Sequence, residues 1–188
     1  MMQINIGICG GHRTGKTTLA KALAEKLAID FAITSTSEVF KRHGLNPAQS
    51  FDFKTRLWIQ QQIVHASKQV WQQSSNFVTD RTPIDMIAYA LADIQGNTQV
   101  DFVALQAYID DCFRVANKYF THFIVLQPAI PLVYEEGKAA LNQAYIEHLN
   151  SLIIGLCHDE RCKIISLIVD RNITRLDKRV ESVKQSLL

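Results

Sequence analysis

The sequence predicts an α/β domain whose mostly parallel, five-stranded sheet carries helices on both faces. The first observation is an alternation along the chain: short apolar segments of strand length are separated by longer segments in which apolar residues recur every three or four positions. The second is that helical segments stand between the apolar ones, and parallel strands require such crossover connections. Functional residues are therefore expected in the loops that follow the carboxyl ends of the strands.

The composition is that of one globular domain, which we expect to span residues 1–188 and to be cytoplasmic. Apolar residues make up 47% of the chain, and 20 basic residues against 18 acidic ones leave a net charge of +2. This balance gives no support for nucleic acid or a membrane surface as the partner. No apolar run approaches the roughly 18 residues of a membrane span, the first residues lack the basic start of a signal peptide, and four cysteines are too few for a disulfide scaffold.

The strands and helices follow one another in a regular order. Five apolar segments are predicted to be strands, at residues 4–9, 31–34, 76–80, 122–126 and 164–169. Helical periodicity predicts helices that begin near residue 16, cover 51–71, begin at 82, and cover 102–116, 145–156 and 173–187. For the helix that begins at 82, Thr82 is the expected N-cap, Pro83 the first helical residue and Asp85 the end of a capping box. This capping role accounts for Asp85.

A glycine-rich turn joins the first strand to the first helix and matches the motif G-x-x-x-x-G-K-[ST] in the context that the motif requires. Its glycines let backbone N–H groups turn inward around an anion, and the positive end of the helix dipole adds to this attraction. Lys16 can reach the β- and γ-phosphates, and the hydroxyl of Thr17 can ligate Mg²⁺. The motif predicts a three-layer P-loop NTPase fold that binds a nucleoside triphosphate. The expected nucleotide-binding residues are Gly10, Gly11, His12, Arg13, Thr14, Gly15, Lys16, Thr17 and Thr18.

An acidic and a basic residue end the third strand, which in a parallel P-loop sheet lies close to the phosphate site. Asp80 can hold Mg²⁺, directly or through water, or accept a proton from an attacking hydroxyl. Arg81 can stabilise the transferring phosphate or bind an acceptor. The alternative is a plain ion pair at the end of a strand.

Three segments together resemble the family of small P-loop kinases. They are the loop GGHRTGKTT, the triplet Thr36-Ser37-Glu38, and the segment from 78 to 85 with the Ala88-Tyr89-Ala90 that follows it. Within that family the chain is most similar to kinase domains that phosphorylate nicotinamide riboside and to small stand-alone AAA-type ATP-binding proteins. The resemblance implies that Glu38 is the base for the acceptor hydroxyl. The alternative for Glu38 is an acid in the first turn of a helix capped by Ser37.

The resemblance also implies which residues border the acceptor. They are Arg42, Arg56 and Trp58, together with Arg81 and Glu38. A solvated surface position is the alternative for Arg42. Trp58 can stack on a base, but an aromatic residue in this apolar helix is also typical of a core.

On the nucleotide side, the resemblance implies that Arg171 and Asn172 hold the adenine ring. Helix capping is the alternative for Asn172. A lid-like segment is expected at about 128–141, where Lys138 occupies a position at which the family tends to have an arginine. Lysine is a point charge rather than a bidentate fork, and two glutamates stand beside it. The acidic residues of this segment are compatible with a slow ATPase.

These observations predict an ATP-dependent small-molecule kinase that uses ATP and Mg²⁺. Its acceptor is expected to be a nucleoside, a nucleoside monophosphate or a related ribosyl compound. The alternative is a nucleotide-binding switch or slow regulatory ATPase that acts through a protein partner. A nucleic-acid-processing ATPase is disfavoured, because the sequence has no basic stripe and no added binding domain.

Overall fold

Five parallel strands form the central sheet of the computed structural model, which describes residues 3–131 and 142–187. In chain order they are β1 (Asn5–Cys9), β2 (Asp30–Phe31), β3 (Phe77–Thr79), β4 (His122–Leu126) and β5 (Ile165–Val169). Their order across the sheet is β2-β3-β1-β4-β5, and all four pairings are parallel. The predicted α/β fold is therefore confirmed, and β1 is the central strand.

The described residues also form seven helices. They are α1 (Lys16–Leu27), α2 (Thr36–Arg42), α3 (Phe53–Trp71), α4 (Pro83–Ala92), α5 (Phe102–Tyr119), α6 (Gln143–Cys157) and α7 (Leu176–Ser186). Within this part of the chain, no helix combines the length and the apolar character that crossing a membrane requires.

The sheet separates two hydrophobic cores, because successive residues of a strand point to opposite faces. In β4, Ile124 and Leu126 pack against α1 and α7, whereas Phe123 and Val125 face the helices α3 to α6. Ile6 and Ile8 of β1 join the first of these cores. The three inner strands β1, β3 and β4 are buried on both faces, which explains why they are continuous apolar runs in the sequence.

Three local predictions differ from the structure. The second strand has two residues instead of four, because it lies at the sheet edge and pairs only with β3. The last helix begins at Leu176, because the backbone N–H of Ile173 instead closes a turn on the carbonyl of Asp170 at 3.0 Å. The cap of α2 is Ser35, not Ser37, since the Ser35 hydroxyl accepts the backbone N–H of Glu38 at 3.2 Å.

Two glycine-to-alanine changes are expected to have opposite effects on stability. A Cβ at Gly7 in β1 would lie 2.5 Å from the Thr82 methyl and 2.9 Å from the Phe123 ring. We therefore expect Gly7→Ala to lower the free energy of unfolding by about 1–3 kcal/mol through overpacking. Gly155 in α6 has no neighbour within 4 Å of such a Cβ, so Gly155→Ala should raise the free energy of unfolding by about 1 kcal/mol.

Urea denaturation of both variants and the wild type provides the measurement. A wild-type free energy of unfolding in Gly7→Ala would contradict the close packing of β1 against the start of α4.

Candidate functional site

The phosphate loop runs from the end of β1 to the start of α1 and depends on two glycines with positive φ. Gly10 has a φ of 151° and Gly15 a φ of 91°. A Cβ at Gly10 would lie 2.6 Å from the carbonyl oxygen of Leu126, so only glycine fits there. The Thr14 hydroxyl donates to the carbonyl of Gly11 at 3.0 Å and closes the turn. The loop is thus a compact turn at the N-terminus of a helix, as an anion site requires.

Lys16 is the first residue of α1, and its ammonium group is held within the loop. Its Nζ donates to the carbonyl oxygen of Gly10 at 2.7 Å and to that of Gly11 at 2.8 Å. Burial lowers the pKa of Lys16, and the negative charge of Asp85 opposes this shift. The loop therefore holds a cation close to the place that the motif assigns to phosphate oxygens.

Thr17 and Asp80 bring two oxygen groups together beside the loop. The Thr17 hydroxyl donates to Oδ2 of Asp80, which links α1 to the end of β3. Hydroxyl and carboxylate oxygens are the donors that Mg²⁺ prefers, so this pair fits the predicted ion. Among the described residues there is no group of three or more His, Cys, Asp or Glu side chains that could hold a metal. Phosphates and water would have to supply the remaining ligands, as is usual for Mg²⁺ in ATP sites.

Asp85 connects the start of α4 to the phosphate loop. The predicted capping box is confirmed: Oδ2 of Asp85 accepts the backbone N–H of Thr82 at 3.1 Å, and the Thr82 hydroxyl accepts the backbone N–H of Asp85 at 3.2 Å. The sequence analysis missed a second contact, in which Oδ1 of Asp85 accepts the backbone N–H of Gly10 at 2.8 Å. The available signal was an acid followed by a wholly apolar helix turn, a context that buries it.

The burial of Asp85 has an electrostatic consequence. Only 2% of the residue is exposed, and burial raises the pKa of its carboxyl group, while the nearby charge of Lys16 opposes this shift. The Asp85 carboxyl group thus stands between the helix cap, the loop backbone and the loop cation.

A cavity of about 420 Å³ lies between α2, α3 and α4, and Arg81, which follows β3, is part of its lining. Aromatic and aliphatic side chains form much of its wall, and a few polar groups are set among them. Two of the lining residues form an ion pair, with Nη1 of Arg56 3.2 Å from Oδ1 of Asp93. The lining residues are Thr36, Phe40, Pro47, Gln49, Ser50, Phe51, Arg56, Ile59, Gln60, Ile63, Arg81, Met86, Tyr89 and Asp93.

The structure brings only some of the predicted acceptor residues to this cavity. Arg56 and Arg81 line it. Glu38 and Arg42 are exposed on α2 and do not line it. Trp58 is 40% exposed and packs edge-on against His43, with 4.9 Å between ring centroids. Its interpretation as a core residue is therefore wrong, because the adjacent positions of α3 supply the buried face.

The sequence analysis did not name six polar residues of the cavity as candidates for binding, among them Gln60, Tyr89 and Asp93. Gln60 follows Arg56 by one helical turn, Tyr89 belongs to the Ala-Tyr-Ala triplet, and Asp93 is the C-cap of α4. Burial raises the pKa of the Asp93 carboxyl group, and the neighbouring Arg56 opposes this shift. The helical spacing of Arg56 and Gln60 was the only signal available before the packing of α3 on α4 was known.

On the predicted adenine side, Arg171 forms a bidentate ion pair with Glu147 of α6, with both N–O distances at 2.7 Å. Asn172 is exposed, and its backbone N–H donates to Oδ1 of Asp170 at 2.8 Å. It does not cap α7, whose N-cap is Arg175, so the capping interpretation is wrong. Lys138 and most of the expected lid at 128–141 lie outside the described residues.

The phosphate loop motif contains a third titratable residue, His12, besides Arg13 and Lys16. Its ring packs against that of Tyr145 from α6, with 6.0 Å between centroids. Burial lowers the pKa of His12, and the positive charges of Lys16 and Arg13 add to the shift. These effects favour the neutral imidazole.

Replacement of Asp85 by asparagine tests the link between helix cap and loop. Asparagine keeps the shape but puts an amide donor where one carboxylate oxygen accepts, so a buried N–H of Gly10 or Thr82 loses its partner. We expect Asp85→Asn to lower the free energy of unfolding by about 1–3 kcal/mol. The control is Asp101, the exposed N-cap of α5. Asp101→Asn should change the free energy of unfolding by less than about 0.5 kcal/mol, because asparagine caps equally well. Equal effects in urea denaturation would rule out a special role for the buried carboxylate.

Comparisons with known proteins agree with this geometry. The structure is similar to deoxyadenosine kinase from M. mycoides with dATP bound (21% identity, 98% of this chain and 99% of that chain, TM-score 0.68). It is also similar to thymidylate kinase from Ehrlichia chaffeensis (15% identity, 100% and 99%, TM-score 0.63). NadR in complex with NAD and AMP-PNP matches over 97% of this chain but 49% of its own (17% identity, TM-score 0.66).

At these identities the structural similarity establishes the fold, which is the one seen in P-loop nucleoside and nucleotide kinases. A search of curated proteins finds no match. A family model described as an AAA domain, however, matches residues 5–167. This match covers most of the chain, and the chain therefore belongs to that family of AAA domains.

Proposed function

We propose that the chain transfers the γ-phosphoryl group of ATP to a small-molecule acceptor bound in the cavity. The observation that carries this proposal is the position of the Asp80-Arg81 pair. Asp80 accepts a hydrogen bond from the hydroxyl of Thr17, which lies in the first turn of α1, and Arg81 lines the cavity. Two consecutive residues therefore join the two places where donor and acceptor would lie, as in-line transfer requires.

The size and lining of the cavity support a small aromatic or ribosyl acceptor. A volume of about 420 Å³ lies in the range of small-ligand sites. Apolar walls come from Phe40, Phe51, Ile59 and Met86, which suit the faces of a flat ring. A nucleoside, a nucleoside monophosphate or a related ribosyl compound fits this description.

The charges of the cavity favour an acceptor with both hydrogen-bond donors and acceptors. The Nη1 of Arg56 pairs with Asp93, while its Nε is buried and has no hydrogen-bond partner among the described residues. Asp93 offers carboxylate oxygens, and the side chain of Gln60 adds a donor and an acceptor. Such a set matches the edge of a nucleobase, and Arg56 and Arg81 together match an acceptor phosphate.

The proposed roles follow from these positions. Lys16 and Arg81 neutralise the negative charge that develops during transfer, and the loop amides orient the phosphates. Thr17 and Asp80 would hold Mg²⁺, which when bound neutralises charge on the β- and γ-phosphates. Asp80 directly precedes Arg81, which lines the cavity, and its carboxylate contacts Thr17, whereas Glu38 is exposed and does not line the cavity. We therefore assign Asp80 first as the acceptor of the hydroxyl proton, with Glu38 second. Arg171 and Asn172 remain predicted contacts of the adenine ring.

The decisive experiment measures ADP formation from Mg-ATP with and without a panel of acceptors. The panel contains nucleosides, nucleoside monophosphates and nicotinamide riboside, and the phosphorylated product is identified by mass. We expect acceptor-dependent ADP from the wild type and a loss of more than about a hundredfold in Lys16→Ala, because a preorganised cation at the phosphates is removed.

ADP formation that ignores every acceptor, or tight binding of ATP without turnover, would contradict the kinase. Either result would instead favour the nucleotide-binding switch or slow regulatory ATPase that acts through a protein partner.

A second prediction separates the cavity from the phosphate loop. Arg56→Met keeps an unbranched, flexible side chain but removes the guanidinium and all its donors, so the KM for the acceptor should rise about tenfold to a hundredfold while the KM for ATP changes little. Arg114 on α5 is 74% exposed and provides the matched control, since Arg114→Met removes a guanidinium away from the site. An unchanged KM for the acceptor in Arg56→Met would place the acceptor outside this cavity.

A further inference from the structure

A buried arginine of α7 contacts the phosphate loop, although α7 follows the last strand of the sheet. Arg179 is 4% exposed, and its Nη1 donates to the carbonyl oxygen of Thr14 at 3.0 Å. Its Nε donates to the carbonyl oxygen of Ile173, in the loop between β5 and α7, at 2.7 Å. Among the described residues no carboxylate forms an ion pair with Arg179, so both recorded contacts of this buried cation go to backbone carbonyls. Burying a cation without a carboxylate is costly, which indicates that these contacts serve a purpose beyond packing.

The contact with Thr14 determines where the next backbone N–H points. A trans peptide is planar, and its carbonyl oxygen and N–H hydrogen point in opposite directions. Because Arg179 holds the carbonyl of Thr14 toward α7, the N–H of Gly15 in the same peptide points away from α7. Gly15 in turn is the N-cap of α1, and its carbonyl accepts the backbone N–H of Leu19 at 3.0 Å. The Thr14–Gly15 peptide is therefore the last peptide of the loop whose orientation is not set by the hydrogen bonds of α1.

The backbone of Gly15 does not by itself determine the orientation of this peptide. Gly15 has a φ of 91°, and glycine adopts positive and negative φ about equally well. A rotation of the Thr14–Gly15 peptide would thus meet little resistance from the chain. It would turn a carbonyl oxygen toward the phosphates and replace an attractive dipole by a repulsive one. A Cβ at Gly15 would also lie 3.3 Å from Nη1 of Arg179, so the guanidinium packs directly against this glycine.

We propose that Arg179 is a positioning residue that holds the N–H of Gly15 toward the phosphates of the bound nucleotide. Through Ile173 the same guanidinium also connects the phosphate loop to the loop after β5. The proposal rests on the proposed function insofar as it takes a nucleoside triphosphate as the ligand of the loop. It goes beyond that function, because it assigns the selection of one loop conformation to a residue outside the motif.

The test compares the binding of Mg-ATP and of inorganic triphosphate by calorimetry to the wild type, Arg179→Met, Arg179→Lys and Lys16→Ala. Each protein is measured at a temperature at which circular dichroism shows it to be folded. We expect Arg179→Met to weaken the binding of both ligands about tenfold to a hundredfold, the effect of losing a hydrogen bond to a charged group. Arg179→Lys keeps a cation but has one donor nitrogen in place of the two, Nε and Nη1, that make the hydrogen bonds of Arg179, so its affinity should lie between those of the wild type and Arg179→Met.

The matched control is Arg175→Met, at the start of the same helix. Arg175 is exposed and pairs with Asp177, so its loss should leave both affinities unchanged. A second readout needs no nucleotide: the amide resonance of Gly15 should be single and sharp in the wild type. It should broaden or split in the folded Arg179 variants, because two peptide orientations then exchange.

The outcomes distinguish this inference from the proposed function. Failure of the wild type to bind either ligand would overturn the nucleotide site itself. Binding by the wild type, weakened in Lys16→Ala but at wild-type affinity in every folded Arg179 variant, would overturn the positioning role alone. A loss confined to Mg-ATP, with unchanged binding of inorganic triphosphate, would also overturn it, because the effect would then arise at the base and not at Gly15.

Discussion

The candidate site depends on one buried carboxylate. Asp85 accepts hydrogen bonds from the first residue of the phosphate loop and from the cap of α4, at 2.8 Å and 3.1 Å. The loop at the end of β1 and the helix after β3 are therefore held by the same group. A carboxylate with so little contact with water needs these partners, since an unpaired buried charge would be strongly destabilising. The partners in turn lose their positions if the carboxylate is removed, so cap and loop form one unit.

The parallel sheet then brings the remaining groups to the same edge. β1 and β3 are neighbours with Gly7 opposite Thr79, so Asp80 leaves β3 beside the start of the phosphate loop. No long side chain is needed to span the gap, because the hydroxyl of Thr17 reaches Asp80 directly. The same arrangement directs Arg81 into the cavity between α2, α3 and α4. The order of the strands thus determines which residues can cooperate.

Features that depend on neighbouring positions in the chain could be predicted from the sequence. The phosphate loop and the capping box at Thr82 are set by residues within a few positions of one another, and the structure has both where they were expected. The cavity could not be predicted in the same way, because Arg56 and Asp93 meet only through the packing of α3 on α4. The exposure of Trp58 had no sequence signal either, since its neighbours Leu57 and Ile59 are buried and periodicity alone does not separate them. The burial of Arg179 could not be predicted either. It flanks an apolar stripe, a position typical of a surface residue, and only the packing of α7 shows that it is buried.

The hydrogen bonds of Lys16 have a consequence for the choice of anion. The ammonium group of Lys16 donates to the carbonyls of Gly10 and Gly11, so an anion that binds this group must compete with two hydrogen bonds. The net gain of such an exchange is small for a neutral or singly charged competitor. A polyphosphate carries several charges and contacts the loop amides at the same time, and it recovers more than the exchange removes. At the proposed nucleotide site, this exchange would favour a polyphosphate over a small monovalent anion.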